Sequence, residues 1–159
     1  YGPGDTRWLG AFRAARMRVL PVLSRHARMS LLYATDAARS LVLPLETAHP
    51  DGAIYSPEDG TARTHEELGR CIAGSLGVRA VAVRVPEGVL FGVARGAEWL
   101  GARAGTKVFL TRDKVQDMLA DTWRCDATPM REALGFRAEV PLPEGASRTA
   151  AWFRTQGLL

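Results

Sequence analysis

The chain has 159 residues, 47 % hydrophobic and 24 % charged, enough for one domain that buries ~70 % of its unfolded surface. Those proportions, with 16 glycines and 9 prolines, exclude a disordered, collagen-like or coiled-coil protein. The formal charge of +4 is unevenly placed: residues 1–30 hold Arg7, Arg13, Arg16, Arg18, Arg25 and Arg28 against Asp5 alone, which suits an anionic ligand or a solvated face.

Residues 7–17 carry Leu9, Phe12 and Arg13 at helical spacing, and the helix is expected to end before Pro21. The apolar run at 31–34 is short enough for a buried strand. Asp36 then stands where an N-cap belongs, ahead of Ala37, Leu41 and Leu45, with Pro44 near the end of that helix. Residues 52–55 read as another short strand, closed by the Ser-Pro-Glu-Asp-Gly loop at 56–60. Thr64 and Glu67 form a capping-box pattern that opens a helix carrying Leu68, Ile72 and Leu76, with Gly77 as its stop.

Val81, Val83 and Val85 alternate with Ala82 and Arg84, the period of a half-buried strand ended by Pro86. A longer helix over 87–102 presents Val89, Leu90, Val93, Ala97 and Leu100 as one stripe. Thr111 opens another, carrying Val115, Met118, Leu119 and Trp123. Thr128 caps a short helix ending at Leu134, and a last helix over 144–156 turns Thr149, Trp152 and Phe153 inward.

The chemistry-bearing residues are sparse. His26, His49 and His65 stand in loops or helix starts, and no Gly-x-Ser-x-Gly elbow accompanies them, so a nucleophile–base pair has no support. Cys71 and Cys125 lie far apart with no Cys-x-x-Cys, which argues against zinc and for a reducing, cytoplasmic location. Glu66 and Glu67 suit the positive end of a helix macrodipole better than acid–base work. Gly2-Pro3-Gly4 is a turn, since Arg7 occupies the place of the third glycine of a dinucleotide loop. Residues 112–135 have the outline of a helix-turn-helix, but its second helix carries only Arg131, too few cations for phosphate contacts. No run of about 20 apolar residues is present to span a membrane, no secretory leader is visible, and neither nucleic acid nor membrane is an expected partner.

Seven pieces in order carry a resemblance. They are YGPGD at 1–5, SLLYATDAA at 30–38, GAIYSPEDG at 52–60, THEELGRCIAGSLG at 64–77, VRVP at 83–86, WRCDATPMREALGF at 123–136 and LPEGASRTAAWFRTQGLL at 142–159. Together they resemble the C-terminal half of an extended short-chain dehydrogenase/reductase of the NAD-dependent epimerase/dehydratase family, nearest its 3β-hydroxysteroid dehydrogenase-like branch. The resemblance implies an α/β chain, the last short strands of a Rossmann-type NAD(P)-binding fold followed by a mostly helical substrate-binding lobe. It implies a division into 1–62, completing the Rossmann domain, and 63–159, forming the lobe.

It also places Tyr1, Gly2 and Pro3 at the cofactor, and Arg28, Ser30 and Tyr33 at the substrate. Thr35-Asp36 would stand where the family often has paired Asp, and Ile54-Tyr55 would be a late strand returning to the main sheet. The Tyr-x-x-x-Lys pair and the glycine-rich loop of such enzymes are absent from these 159 residues. The expectation is therefore a portion of a longer NAD- or NADP-dependent enzyme, cut in a turn at Tyr1 and inactive alone, whose partners are a small-molecule substrate and a missing N-terminal Rossmann half. A homodimer of the complete protein is compatible with this. The alternative is a non-enzymatic ligand-binding or partner subunit derived from the same family.

Overall fold

A computed structural model describes all residues except 25, 26, 107, 109 and 121, and all of their side chains except that of Thr122. Arg25 of the basic segment and His26 thus lie outside the described residues. The order of elements is α1 (Leu9–Arg16), β1 (Val19–Val22), β2 (Arg28–Met29), α2 (Ala34–Glu46), β3 (Arg63–Thr64), α3 (His65–Ser75), β4 (Val81–Arg84), α4 (Glu87–Ala104), α5 (Arg112–Leu119), β5 (Thr122–Trp123), α6 (Thr128–Leu134) and α7 (Leu142–Thr155), with a 3-10 turn at Thr6–Trp8 ahead of them.

β1 pairs in parallel with β4, Val19 opposite Val81. β2 lies between antiparallel β3 and parallel β5. The main core forms where α1, α3 and α7 close over β1: Phe12, Leu20, Leu68, Ile72, Leu142 and Phe153 are buried there. Phe12 and Phe153 meet edge to face with ring centroids 5.2 Å apart, a favoured aromatic geometry. Gly69 admits the strand, because a Cβ there would lie 3.1 Å from Leu20. A smaller cluster of Met130, Leu134 and Phe136 packs with Leu32, Leu43 and Tyr55.

Local signals held where they were chemical. Thr64 Oγ1 accepts from the Glu67 amide and Glu67 accepts from the Thr64 amide at 2.7 Å, a complete capping box. Thr111 accepts from the Lys114 amide, and Gly77 takes φ +72° just past α3.

Several expectations are corrected. The run at 31–34 is no strand: it is extended chain leading into α2, with two hydrogen bonds to Tyr1 and one to Asp59 rather than a continued ladder. Residues 52–55 are also irregular, and Ile54 is 88 % exposed. A strand that the sequence reading did not expect forms at β1 in spite of Pro21, because among the described residues β1 bonds only β4 and a proline without an amide is tolerated on such an edge. Every residue of β4 is exposed rather than half-buried, since nothing among the described residues covers it. Asp36 is not a cap but the third residue of α2, whose N-cap is Tyr33. Ala127, not Thr128, occupies the N-cap of α6, where Asp126 accepts from the Thr128 amide. Trp123 belongs to β5 rather than to α5, and β5 separates α5 from α6, so the two helices do not form a helix-turn-helix.

Candidate functional site

The residues expected at the cofactor fold back against those entering α2. The Tyr1 nitrogen donates to the Leu32 carbonyl at 2.9 Å, and the Ala34 amide donates to the Tyr1 carbonyl at 2.8 Å. Gly2 is buried with φ +153°, and a Cβ on it would lie 2.9 Å from the Ala34 Cβ. Both the dihedral and the close approach call for glycine. The Asp5 amide closes the turn on the Gly2 carbonyl, and the Asp5 carboxylate accepts from the amide and side chain of Arg7. Pro3 and Gly4 stay exposed.

Behind this turn sits an aromatic group. The Tyr1 ring meets Tyr33 edge-on at 5.5 Å and Trp8 at 6.4 Å. Gly145 of α7 makes the room, since a Cβ there would fall 2.5 Å from the Tyr1 hydroxyl and 2.8 Å from Tyr33. The Tyr1 hydroxyl is buried with no hydrogen-bond partner among the described residues. Burial, reinforced by the Asp59 carboxylate, holds this phenol above its usual pKa, so it stays protonated at neutral pH. Tyr33 is itself buried, with the Arg148 guanidinium 5.9 Å from its ring.

Asp36 fixes the start of α2 against the segment entering α7. Its Oδ2 accepts from the amides of Glu139 and Val140 at 3.1 and 3.0 Å, and its Oδ1 from Arg39 at 2.9 Å. Arg39 also reaches Glu139 at 2.8 Å. The carboxylate is only 1 % exposed, yet all its bonds are charge-assisted, which makes such burial tolerable. No local pattern hints at this long-range role. An Asp early in a helix reads first as a cap, and its partners lie about a hundred residues away.

Outside the aromatic group, an open groove runs between the 1–7 turn and α2, lined by Tyr1, Gly4, Asp5, Thr6, Arg7, Ala34, Ala37, Ala38 and Leu41. Its α2 wall continues into the exposed apolar residues Leu41, Val42 and Leu45, the last 85 % exposed. The small alanines let a flat ligand or a second layer of protein approach the helix closely.

The residues expected at the substrate divide between two places. Tyr33 lies with Tyr1 and Gly2. Arg28 and Ser30 lie at the small sheet, where Arg28 donates to the Ala62 carbonyl at 3.2 Å. The Ser30 amide donates to the Trp123 carbonyl, and the Ser30 hydroxyl accepts from the Cys125 amide at 3.1 Å. A second concavity, lined by Val22, Ser24, Thr64 and Glu66, opens at the end of β1. Next to it in the chain, His65 buries an Nδ1 that has no hydrogen-bond partner among the described residues; burial lowers its pKa, and the Ser24 backbone opposes this to a lesser degree. Only the capping-box pattern around His65 was legible beforehand.

Among the described residues no group of three or more His, Cys, Asp or Glu could hold a metal ion. The groove does not fit a whole dinucleotide either. It offers one glycine turn and one helix start, and the chain has no glycine-rich phosphate loop and no Tyr-x-x-x-Lys. What the groove can do is receive one end of a ligand, or another part of a protein, against α2.

No protein-family model matches the chain. A protein named ceramide reductase from Caulobacter vibrioides is 33 % identical over 161 positions, covering all of this chain and 50 % of that protein. The uncharacterized protein YbjS of Escherichia coli is 29 % identical, again over the whole chain and 49 % of its own length. The chain thus spans about half the length of the curated relatives it matches. Among solved structures, UDP-glucose 4-epimerase of Thermotoga maritima superposes with a TM-score of 0.63 at 19 % identity, over 98 % of this chain and 43 % of that one. The protein RMD of Pseudomonas aeruginosa, complexed with NADPH, gives 0.62 at 16 % identity, over 98 % and 46 %. dTDP-glucose 4,6-dehydratase of Bacillus anthracis, in complex with NAD, gives 0.63 at 14 %, over 100 % and 44 %.

Proposed function

From a chain that carries the α/β fold of the C-terminal half of the NAD-dependent epimerase/dehydratase family of extended short-chain dehydrogenase/reductases, we propose that it is the substrate-binding portion of an NAD(P)-dependent oxidoreductase or epimerase. The complete enzyme would act on a hydroxyl or carbonyl of a small molecule such as a sugar nucleotide, a steroid or a similar compound, and this portion would not be catalytic alone. The observation that carries the reading is the groove beside α2 together with the bare apolar face that extends it. Leu41, Val42 and Leu45 are exposed here, and a face of this kind asks for a covering layer. The relatives, about twice as long, have the chain length to provide one as an N-terminal Rossmann half.

In this reading Tyr1, Gly2 and Pro3 shape the cofactor end of the groove. Gly2 lets the turn close on Ala34, and the buried Tyr1 ring backs it. The cofactor is NAD or NADP, as in the complexes of the structural neighbours, with its phosphates and the proton-transferring Tyr-Lys pair held by the other half. Arg28, Ser30 and Tyr33 border the substrate, and the name of the 33 % identical relative supports a reductive step on a carbonyl. The division at residue 62 is functional rather than structural, for α3 packs on α1 and β1 across it. The two unpaired cysteines accord with the cytoplasm, and the complete enzyme with a homodimer that takes a small molecule rather than nucleic acid.

Two observations test this. Reading the gene upstream of Tyr1 should reveal a strand, a glycine-rich turn and a Tyr-x-x-x-Lys, and a start codon adjacent to Tyr1 would defeat the proposal. In a thermal-shift titration with NADH and NADPH, the complete product should be stabilised and the 159-residue chain should not. Ligand-induced stabilisation of the chain by acidic small molecules, with no upstream half in the gene, would favour the ligand-binding subunit instead.

A further inference from the structure

α4 is the longest helix among the described residues, and it keeps little of itself inside. Only Ala94 and Gly101 are buried, and the helix packs on α5. Val89, Val93 and Leu100 are all more than half exposed. With Gly96 they fall at i, i+4, i+7 and i+11, a single stripe along one face. Trp99 flanks the stripe, also more than half exposed, and the Arg103 guanidinium lies 4.1 Å over its ring. Upstream, β4 adds exposed Val81 and Val83.

The charge around this face is one-sided. Among the described residues at 79–112, Arg79, Arg84, Arg95, Arg103 and Arg112 stand against Glu87 and Glu98. Arg79, Arg84, Arg95 and Arg103 are exposed. Glu98 is taken up by Arg112, whose amide and Nε donate to it at 2.8 and 3.0 Å. An apolar stripe, an aromatic ring with a cation stacked on it and a surplus of arginine are the ingredients of a helix that lies in a bilayer interface. The apolar face enters the acyl boundary, Trp stays at headgroup depth, and Arg pairs with lipid phosphate. At 18 residues with four charged side chains, α4 is suited to lie on a bilayer rather than to cross it, and no described helix is long and apolar enough to cross.

We propose that the exposed face of α4 docks this protein peripherally on an anionic lipid surface through Val89, Val93, Trp99 and Leu100, with Arg95 and Arg103 on the headgroups. The proposal goes beyond the enzymatic reading and does not depend on it. The covering layer proposed for α2 concerns a different helix.

The test is co-sedimentation of the complete gene product with vesicles of phosphatidylcholine alone and with vesicles that also contain phosphatidylglycerol. Binding is expected on the anionic vesicles, several-fold weaker as salt is raised through the range where the Debye length shortens, and near background on the neutral ones. Val93→Asp and Leu100→Asp should each lower it by about tenfold or more, whereas Met17→Asp at the exposed end of α1 should leave it unchanged. Should the α4 carboxylates prevent folding, the surface pair Arg95→Glu and Arg103→Glu decides instead, with lost vesicle binding at an unchanged melting temperature. Absence of binding to anionic vesicles, or equal binding by wild type and the folded α4 variants, would overturn the proposal. So would α4 variants that dissociate a dimer while the wild type ignores vesicles, because a second copy would then be the occupant.

Discussion

α7 and α4 are both long helices near the middle of the size range for globular proteins, and they spend their residues differently. α7 buries six of its 14 residues, including Ala146, Thr149, Ala150 and Phe153. α4 buries two of 18. α7 is small on the side it turns inward, so α3 and the Tyr1–Tyr33 aromatic group pack tightly on it. Its one buried hydroxyl, that of Thr149, donates to the Gly145 carbonyl. α4 has apolar side chains in similar measure, but most face outward with valine, tryptophan and leucine in view. One helix is folded by the chain's own residues; the other is shaped for something the chain does not contain. α2 stands between them, pinned by Asp36 on one side and bare at Leu41 and Leu45 on the other.

The sharpest way to break this contrast is at Phe153. Phe153→Ala should cost about 3–5 kcal/mol, read as a shift in the denaturation midpoint, because the ring is fully enclosed against Phe12. Asp36→Ala should cost about 3 kcal/mol, since two amides lose a charged acceptor in a buried setting. Thr64→Ala removes half of a capping box on α3 and should cost about 1 kcal/mol. A cost near zero for either of these last two would mean that α2 or α3 is held by something other than the bonds described.

A pH effect comes next. The folded pKa of His65 is lowered by burial, so the folded state binds its proton less readily than the unfolded one. Its contribution is intact above the unfolded value of about 6.5 and is lost as pH falls below it toward the folded value. Stability measured from neutral to mildly acidic pH should therefore decline, and His65→Gln should flatten the decline. The smallest effect belongs to the bare side of α2: Leu45→Glu in the 159-residue chain should change stability by no more than about 0.5 kcal/mol. The same change in the complete protein should be markedly destabilising if a second layer covers that face.

What could be read beforehand followed the range of the interactions. The capping box at Thr64, the Thr111 cap and the left-handed glycine at Gly77 are set by neighbours within four residues, and all were legible. So was the order of motifs, which indicated the fold. The strands were not, because an apolar run of four residues is equally suited to an edge strand, as at Val19–Val22, or to an extended segment with a few bonds and no ladder, as at 31–34. The burial of β4 was misjudged for a related reason: periodicity tells which residues share a face but not whether anything covers it. Of the site residues, Tyr1 and Tyr33 proved to be neighbours, while Arg28 and Ser30 belong to a small sheet whose third strand, β5, no pattern announced.

The central claim is that these residues form the substrate-binding part of a longer NAD(P)-dependent enzyme. Its most direct measurement is a calorimetric titration of NADH and NADPH into the 159-residue chain and into the complete gene product, side by side. The account predicts saturable, one-to-one binding of one cofactor by the complete product and none by the chain. Equal affinity in both would contradict it.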